Sequence, residues 1–300
     1  MKTIKILLVT LATVCLLVSC DFTDKSAFKF TSLEDSLVVA CPQTQDSCFE
    51  MKLKVEFPVK GADTTALKNV QRTLITDLFT EKYINFPAEN LLGAYITACH
   101  EEYNLVETDI QGSPVLYHYQ EYLTAVPLYE SDKLLSYEAT RYLFTGGAHG
   151  LETTMCWVFD VTTGNQLTED DIFVENYSDS LVSILTRLLE ADAAKRGLTL
   201  QDFWLQQLLP NGNFAVAEDG LYYQFNPYDI APYAVGGTRL FITKNDLLPL
   251  LKKGTSVYEL FKQKYPFYGV IKALFSSAHS NATRAVCFIG SFLSRLECQD

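Results

Sequence analysis

The stretch VLYHYQEYLTAVPLYESDKLLSYEATRYLF, residues 115–144, decides the fold class. Aromatic and β-branched residues dominate it, and Ser131-Asp132-Lys133 is a polar turn between two long halves. That is the composition of paired, half-buried strands. Tyr117 and Tyr119 share one face of the first strand, and Tyr137 and Leu143 share one face of the second. Upstream, Phe49 to Val59 sets Met51, Leu53, Val55 and Phe57 against Lys52, Lys54 and Glu56, a strand with one solvated face. Val38 to Cys41 reads as another strand. Asp63 or Thr64 caps a helix whose stripe is Leu67, Val70, Leu74 and Leu78, and Pro87 opens a second helix with Leu91, Leu92, Tyr95, Ile96 and Cys99 inward. Downstream, Thr153 to Val161 is a strand ending in the turn Thr162-Thr163-Gly164-Asn165. Leu181, Ile184, Leu185, Leu188 and Leu189 mark an amphipathic helix closing at Lys195-Arg196-Gly197. Phe214 to Ala217 and Leu221 to Phe225 pair across Glu218-Asp219-Gly220; Thr238 to Thr243 is a last strand and Asn245 to Leu251 a short helix. Hairpins with helices inserted in groups predict an α+β fold of mostly antiparallel sheets and packed helices, and exclude a doubly wound parallel sheet.

The N-terminus carries an address. Lys2 and Lys5 precede an apolar run from Ile6 to Val18, followed by Ser19 and Cys20, the layout of a secretory signal. The run is too short for a membrane-spanning helix, which needs about 20 residues. Leu17-Val18-Ser19-Cys20 resembles the lipobox of bacterial lipoproteins. The resemblance implies cleavage before Cys20, lipid on its thiol and an extracytoplasmic domain anchored to a bacterial membrane. Without residues 1–19 the chain holds 22 basic and 36 acidic residues, a net charge of −14. Such a balance excludes nucleic acid as a partner and favours cationic ones, besides keeping the protein soluble. Six cysteines remain after Cys15 leaves with the signal and Cys20 is lipidated. In an oxidising compartment Cys41 and Cys48 clip a loop between two strands, while the pairing of Cys99, Cys156, Cys287 and Cys298 stays open. His100, His118, His149 and His279 form no ligand pair at helical or finger spacing, so neither a metal nor a cofactor is expected.

The organisation read from these signals is a signal peptide at 1–19, a polar tether at 20–36, an α+β sub-domain at 37–135, a second at 136–252 and an atypical extension at 253–300. In the extension Val286, Ile289, Phe292, Leu293 and Leu296 keep helical spacing. Asp170-Asp171, after Leu167-Thr168, reads as the cap of a short helical turn. His100-Glu101-Glu102-Tyr103-Asn104 puts asparagine where a zincin has its second histidine, and no nucleophile motif occurs.

Two loops stand apart. Gly146-Gly147-Ala148-His149-Gly150 joins two strands, its glycines admitting backbone angles barred to other residues and its compact Ala148 admitting close approach. Asn226 to Gly237 joins two more, stiffened by Pro227 and Pro232 and carrying Tyr228, Asp229, Tyr233 and Gly236. His149 has two readings: it fixes the hairpin through a backbone carbonyl, or it serves as base or ligand in a pocket lined by the second loop. Tyr142-Leu143-Phe144-Thr145 with the first loop, Phe159-Asp160-Val161 before Gly164 and Leu167, and Asn226-Pro227-Tyr228-Asp229-Ile230-Ala231-Pro232-Tyr233-Ala234 before Gly236 together resemble the RsiV-type extracellular domain family. That family includes the ectodomain of a lysozyme-sensing anti-sigma factor and a non-catalytic region of the peptidoglycan deacetylase PdaC. The resemblance covers roughly Val38 to Leu251 and implies two tightly associated sub-domains of an envelope module that binds or senses, sometimes lysozyme. Neither a sigma-binding segment nor a deacetylase domain accompanies it here. The first expectation is therefore a lipid-anchored, non-catalytic binding protein for lysozyme or a peptidoglycan fragment. The second is an envelope hydrolase using His149 with Asp229 or another carboxylate, and the third a structural scaffold.

If Cys20 is the lipid acceptor, Cys20→Ser abolishes incorporation of labelled fatty acid and leaves the protein with an uncleaved signal or as a soluble product, because the acidic body has no affinity of its own for anionic lipid. An unlabelled wild-type protein in the cytosol sinks the assignment.

Overall fold

A computed structural model describes residues 27–41, 46–61, 63–109, 118–205 and 207–262. The signal, Cys20, the extension beyond 262 with its helical spacing, and Tyr117, Cys287 and Cys298 lie outside them. Two strands, β1 (Phe28–Ala40) and β2 (Ser47–Gly61), precede two helices, α1 (Thr64–Phe79) and α2 (Ala88–Asp109). Three more, β3 (Tyr119–Glu130), β4 (Leu134–Phe144) and β5 (Leu151–Asp160), complete a five-stranded sheet in the order β1-β2-β3-β4-β5. All neighbours are antiparallel except β2 and β3, whose parallel pairing is bridged by the two helices.

Each element follows from a local cause. In β2, Met51, Leu53, Val55 and Phe57 are buried and Lys52 and Lys54 exposed, the pleat sorting one apolar face from one wet face. Asp63 caps α1, its Oδ1 accepting from the backbone N–H of Thr65 and Ala66 at 2.8 Å each. Val70, Leu74 and Leu78 of α1 and Leu91, Leu92 and Ile96 of α2 then cover the sheet's apolar face as one core. Cys41 and Cys48 are joined by a disulfide, with Cα atoms 4.9 Å apart.

The expected tether at 20–36 does not extend as far as 36. From Phe28 onward those residues form β1, in register with β2 from Phe28 opposite Gly61 to Ala40 opposite Ser47. The alternation is hidden because β1 is an edge strand with a bulge between Lys29 and Phe30, so a shifted phase and Glu34, Asp35 and Ser36 disguise a strand whose Phe28 is buried.

The second half begins with α3 (Glu169–Ile172), where Asp171 accepts from Thr168 N–H and O–H at 2.7 Å each. These bonds hold the Asp171 carboxyl below its usual range. Then come α4 (Ser178–Lys195), a three-stranded antiparallel sheet of β6 (Phe214–Ala217), β7 (Gly220–Phe225) and β8 (Thr238–Thr243), and α5 (Lys244–Leu247) and α6 (Ser256–Lys262). Leu181, Leu185 and Leu189 of α4 pack on this smaller sheet, and Glu169 accepts from Tyr223 Oη at 2.8 Å, Tyr177 Oη at 3.1 Å and Gly212 N at 3.0 Å.

The expected boundary at 135/136 falls inside the β3–β4 hairpin, and residues to Phe261 form one unit. The cause is that the two faces of β4 and β5 serve different cores: Leu135, Tyr137, Trp157 and Phe159 enter the first, Leu134 and Val158 the second. A chain that shares strands between cores has no linker to cut. Residues 256–262, assigned to the extension, dock Val257 and Phe261 into the second core as α6.

One polar group sits deep in the helix-side core. Glu121, 1% exposed, accepts from Tyr119 Oη at 2.7 Å and Tyr95 Oη at 3.1 Å and pairs with Arg141 Nε at 3.1 Å. Arg141 also donates to the Leu78 carbonyl, and burial together with Glu121 holds both phenols well above their usual range. Arg141→Ala leaves an uncompensated buried carboxylate, and denaturant unfolding should read a loss of about 3 kcal/mol. Arg141→Ala combined with Glu121→Leu should recover most of it; a double variant no more stable than the single would contradict the pairing.

Candidate functional site

The two loops singled out in the sequence meet, and side-chain amides on a sheet edge make them do so. β5 ends the large sheet, so alternate backbone groups there lack a neighbouring strand. Asn226 fills one place: its Oδ1 accepts from Thr154 N at 2.7 Å and its Nδ2 donates to Thr154 O at 3.1 Å. Asn213 fills the next, with Nδ2 donating to Thr154 O at 2.9 Å and Oδ1 accepting from Cys156 N at 2.8 Å. An amide offers the same donor and acceptor as a peptide group, so two asparagines stand in for a missing strand. Val216 N–H donates to buried Ser136 Oγ at 3.0 Å, and Arg239 pairs with Glu138, tying the small sheet to β4.

Anchored at Asn226, the second loop turns sharply. Asp229 Oδ2 accepts from Asn226 N at 2.7 Å and Asp229 N donates to Asn226 O at 3.0 Å. Within that turn Tyr228 has φ 72°, a left-handed conformation that costs a bulky residue free energy. The strain aims its ring outward, 48% exposed. Farther on, Tyr233 opens a short 3₁₀ turn closed by Gly236 at φ 77°, and Arg196 from the end of α4 donates to Val235 O and to Thr238 Oγ1.

The first loop reaches across to it. Gly146 and Gly147 adopt φ 95° and 98° and stand exposed, which delivers His149 to the second loop. The His149 ring lies 3.6 Å from the Tyr233 ring centroid at 14°, a face-to-face stack. Its Nε2 lies 3.3 Å from Tyr228 Oη and its Nδ1 3.0 Å from the Gly150 carbonyl oxygen. Close approach falls on Gly150, not on Ala148 as the sequence suggests: a methyl at Gly150 would collide with the Tyr142 ring, whereas Ala148 is exposed.

Sequence reasoning misses Trp204. It follows α4, donates its backbone N–H to Ile230 O at 2.9 Å, and stacks near Tyr228 at 6.5 Å and 22°. Its indole is 59% exposed beside a shallow hollow lined by Leu200, Gln201, Phe203 and Leu205. The available signal was its rarity, since the chain has two tryptophans. The structure thus assembles His149, Tyr228, Tyr233 and Trp204 into an exposed aromatic surface, with Asn226, Asp229 and the glycines shaping it.

His149 and Asp229 are each engaged by other partners among the described residues. Both His149 nitrogens face the Gly150 carbonyl and the Tyr228 hydroxyl, and Asp229 is engaged by Asn226. Elsewhere, the Cys41 and Cys48 sulfurs and a ring nitrogen of His118 lie within 4.8 Å of one another, but the disulfide consumes both sulfurs. Cys156 is buried and unpaired, its thiol pushed up to about 12 by burial and by Glu138.

A family model described as a protein of unknown function, DUF3298, matches residues 170–245. That span contains the second loop and Trp204 but not the first. Among solved structures, the chain is similar to a DUF3298 member from Bacteroides fragilis NCTC 9343 at 23% identity and a TM-score of 0.69, covering 80% of this chain and 99% of that one. It is also similar to a DUF3298 protein from Pseudomonas aeruginosa PAO1 at 19% identity and 0.51, covering 75% and 95%. These likenesses establish the fold. No curated protein matches the chain.

Asn226→Ala removes two bonds to the Thr154 backbone and should cost about 2 kcal/mol in denaturant unfolding. Asn226→Asp should not rescue it, since a carboxylate keeps the acceptor for Thr154 N–H but sets a second oxygen against the Thr154 carbonyl. An Asn226→Asp variant as stable as wild type would show that the donor does nothing.

Proposed function

We propose that this chain is a lipid-anchored, extracytoplasmic binding module of the RsiV and PdaC type, and that its ligand is a glycan of the peptidoglycan kind. The observation that carries the reading is the aromatic surface. Trp204 and Tyr228 expose their rings while backbone bonds hold their supports fixed. Exposed aromatics are costly unless something covers them, and rigid rings with polar tips suit a partner that has both apolar faces and hydroxyls. A pyranose is such a partner, its C–H face stacking on a ring while its hydroxyls meet Asp229, His149 and the Tyr228 phenol. The backbone strain at Tyr228 supports the same reading, because a conformation that costs stability is retained where it serves a site.

Among the described residues His149 meets the Gly150 carbonyl and the Tyr228 hydroxyl, contacts that suit a positioning role in such a surface. A second reading, capture of a basic protein such as lysozyme, is favoured by the net charge of −14 on 281 residues and would weaken with rising salt.

Tyr228→Gly separates stability from binding. It relieves the positive φ and should leave the folded state as stable as wild type or more so, while weakening a soluble peptidoglycan fragment roughly tenfold, as Trp204→Ala does. Calorimetric titration alongside thermal melting checks both. Folded wild-type protein that shows no saturable glycan binding, yet binds lysozyme in a salt-dependent way, overturns the glycan reading in favour of the second.

A further inference from the structure

We infer that the glycan site continues from the aromatic loops onto the open face of the five-stranded sheet, so that the protein grips a chain of several sugars and not a single unit. The inference rests on the glycan reading given above. The sheet supplies the observation. Lys52, Tyr122, Tyr142 and Glu152 are direct cross-strand partners along β2, β3, β4 and β5. They lie on the face opposite the helices, because their neighbours Leu53, Leu123 and Glu121 point into the helix-side core. The row crosses three strand spacings, about 14 Å, which is longer than one sugar ring.

Its chemistry repeats that of the loops. Tyr122 and Tyr142 stack at 5.6 Å and 16°, and Lys52 Nζ lies 5.5 Å over Tyr122. Around them Gln120, Thr124, Thr140 and Glu152 line a hollow of about 340 Å³. Amide, hydroxyl and carboxylate groups rim an aromatic centre, and the Gln120 and Glu152 side chains hydrogen-bond no other described residue. A core-building role explains none of this, because the small sheet covers this face only lower down, at Ser136 and Glu138.

Continuity decides what fills the hollow. Tyr142 lies against Gly150, the residue after His149, so the cross-strand row ends where the loop surface begins. Thr154, hydrogen-bonded to Thr140 at 3.1 Å, is the residue clamped by Asn226, where the second loop starts. One extended polymer therefore meets both surfaces, whereas a monosaccharide reaches only one.

The test is a length series of β-1,4-linked N-acetylglucosamine, as disaccharide, tetrasaccharide and hexasaccharide, titrated into wild type, Tyr122→Ala, Thr124→Arg and Trp204→Ala. Thr124→Arg fills the hollow from an exposed position without removing a buried contact, so it keeps the test decisive if Tyr122→Ala destabilises the sheet. Wild-type affinity should rise at least tenfold from disaccharide to hexasaccharide. Both sheet variants should erase that gain and leave disaccharide affinity unchanged, while Trp204→Ala weakens every length. Hexasaccharide affinity equal to wild type in Thr124→Arg overturns the extension and leaves the loop site standing. A wild-type protein that binds no oligomer at all overturns both.

Discussion

The arrangement hangs on a pair of primary amides bonded to the outer edge of β5. Asn226 and Asn213 bond the Thr154 N–H, the Thr154 carbonyl and the Cys156 N–H, in the way a sixth strand would. A real strand would have buried that edge under continuous backbone and left no room for a loop to leave the sheet there. Amides satisfy the same groups from one point each, so the chain is free to depart at Asn226 and build an excursion over the rim. The contact between His149 and Tyr233 follows from that freedom. So does the separation of functions: the large sheet is held together by its own core, and the loops are held by polar bonds at its margin.

Much of this was legible because its causes are local. The alternation in β2, the Asp63 cap, the β3–β4 and β6–β7 hairpins, the Asp171 capping interaction and the Cys41 to Cys48 bridge each depend on residues within a few positions of one another. What escaped depends on partners distant in the chain. The parallel pairing of β2 with β3 is set by how two helices pack back on the sheet, and nothing in either strand announces it. Of β1, Val38 to Ala40 were legible as a strand, whereas Phe28 to Leu37 escaped because an edge strand with a bulge needs only half of its residues to be apolar. At the site, the glycines and tyrosines advertised themselves by composition. Trp204 did not, since its role comes from a backbone bond to Ile230, 26 positions away. Gly150 looked interchangeable with Ala148 until the Tyr142 ring gave it a reason.

The same distinction explains why a boundary at 135/136 falls inside a hairpin shared by the two cores. Residues 131–133 are turn-forming and polar, as linkers are, yet they close a hairpin whose second strand has both faces buried. Leu134 and Leu135 go to opposite cores. Neither half of the molecule owns β4, so loss of either core strips one face of that strand.

Cys156 carries a consequence for how the chain matures. Its thiol is buried on β5, beneath the Asn213 bond, beside Glu138. Exchange with another cysteine needs a thiolate and access, and burial with a neighbouring carboxylate denies both. The bridge that does form joins residues only seven apart, Cys41 just past the end of β1 and Cys48 in β2. The Cys41–Cys48 loop thus closes between near neighbours, while the folding of β5 withdraws the Cys156 thiol from exchange.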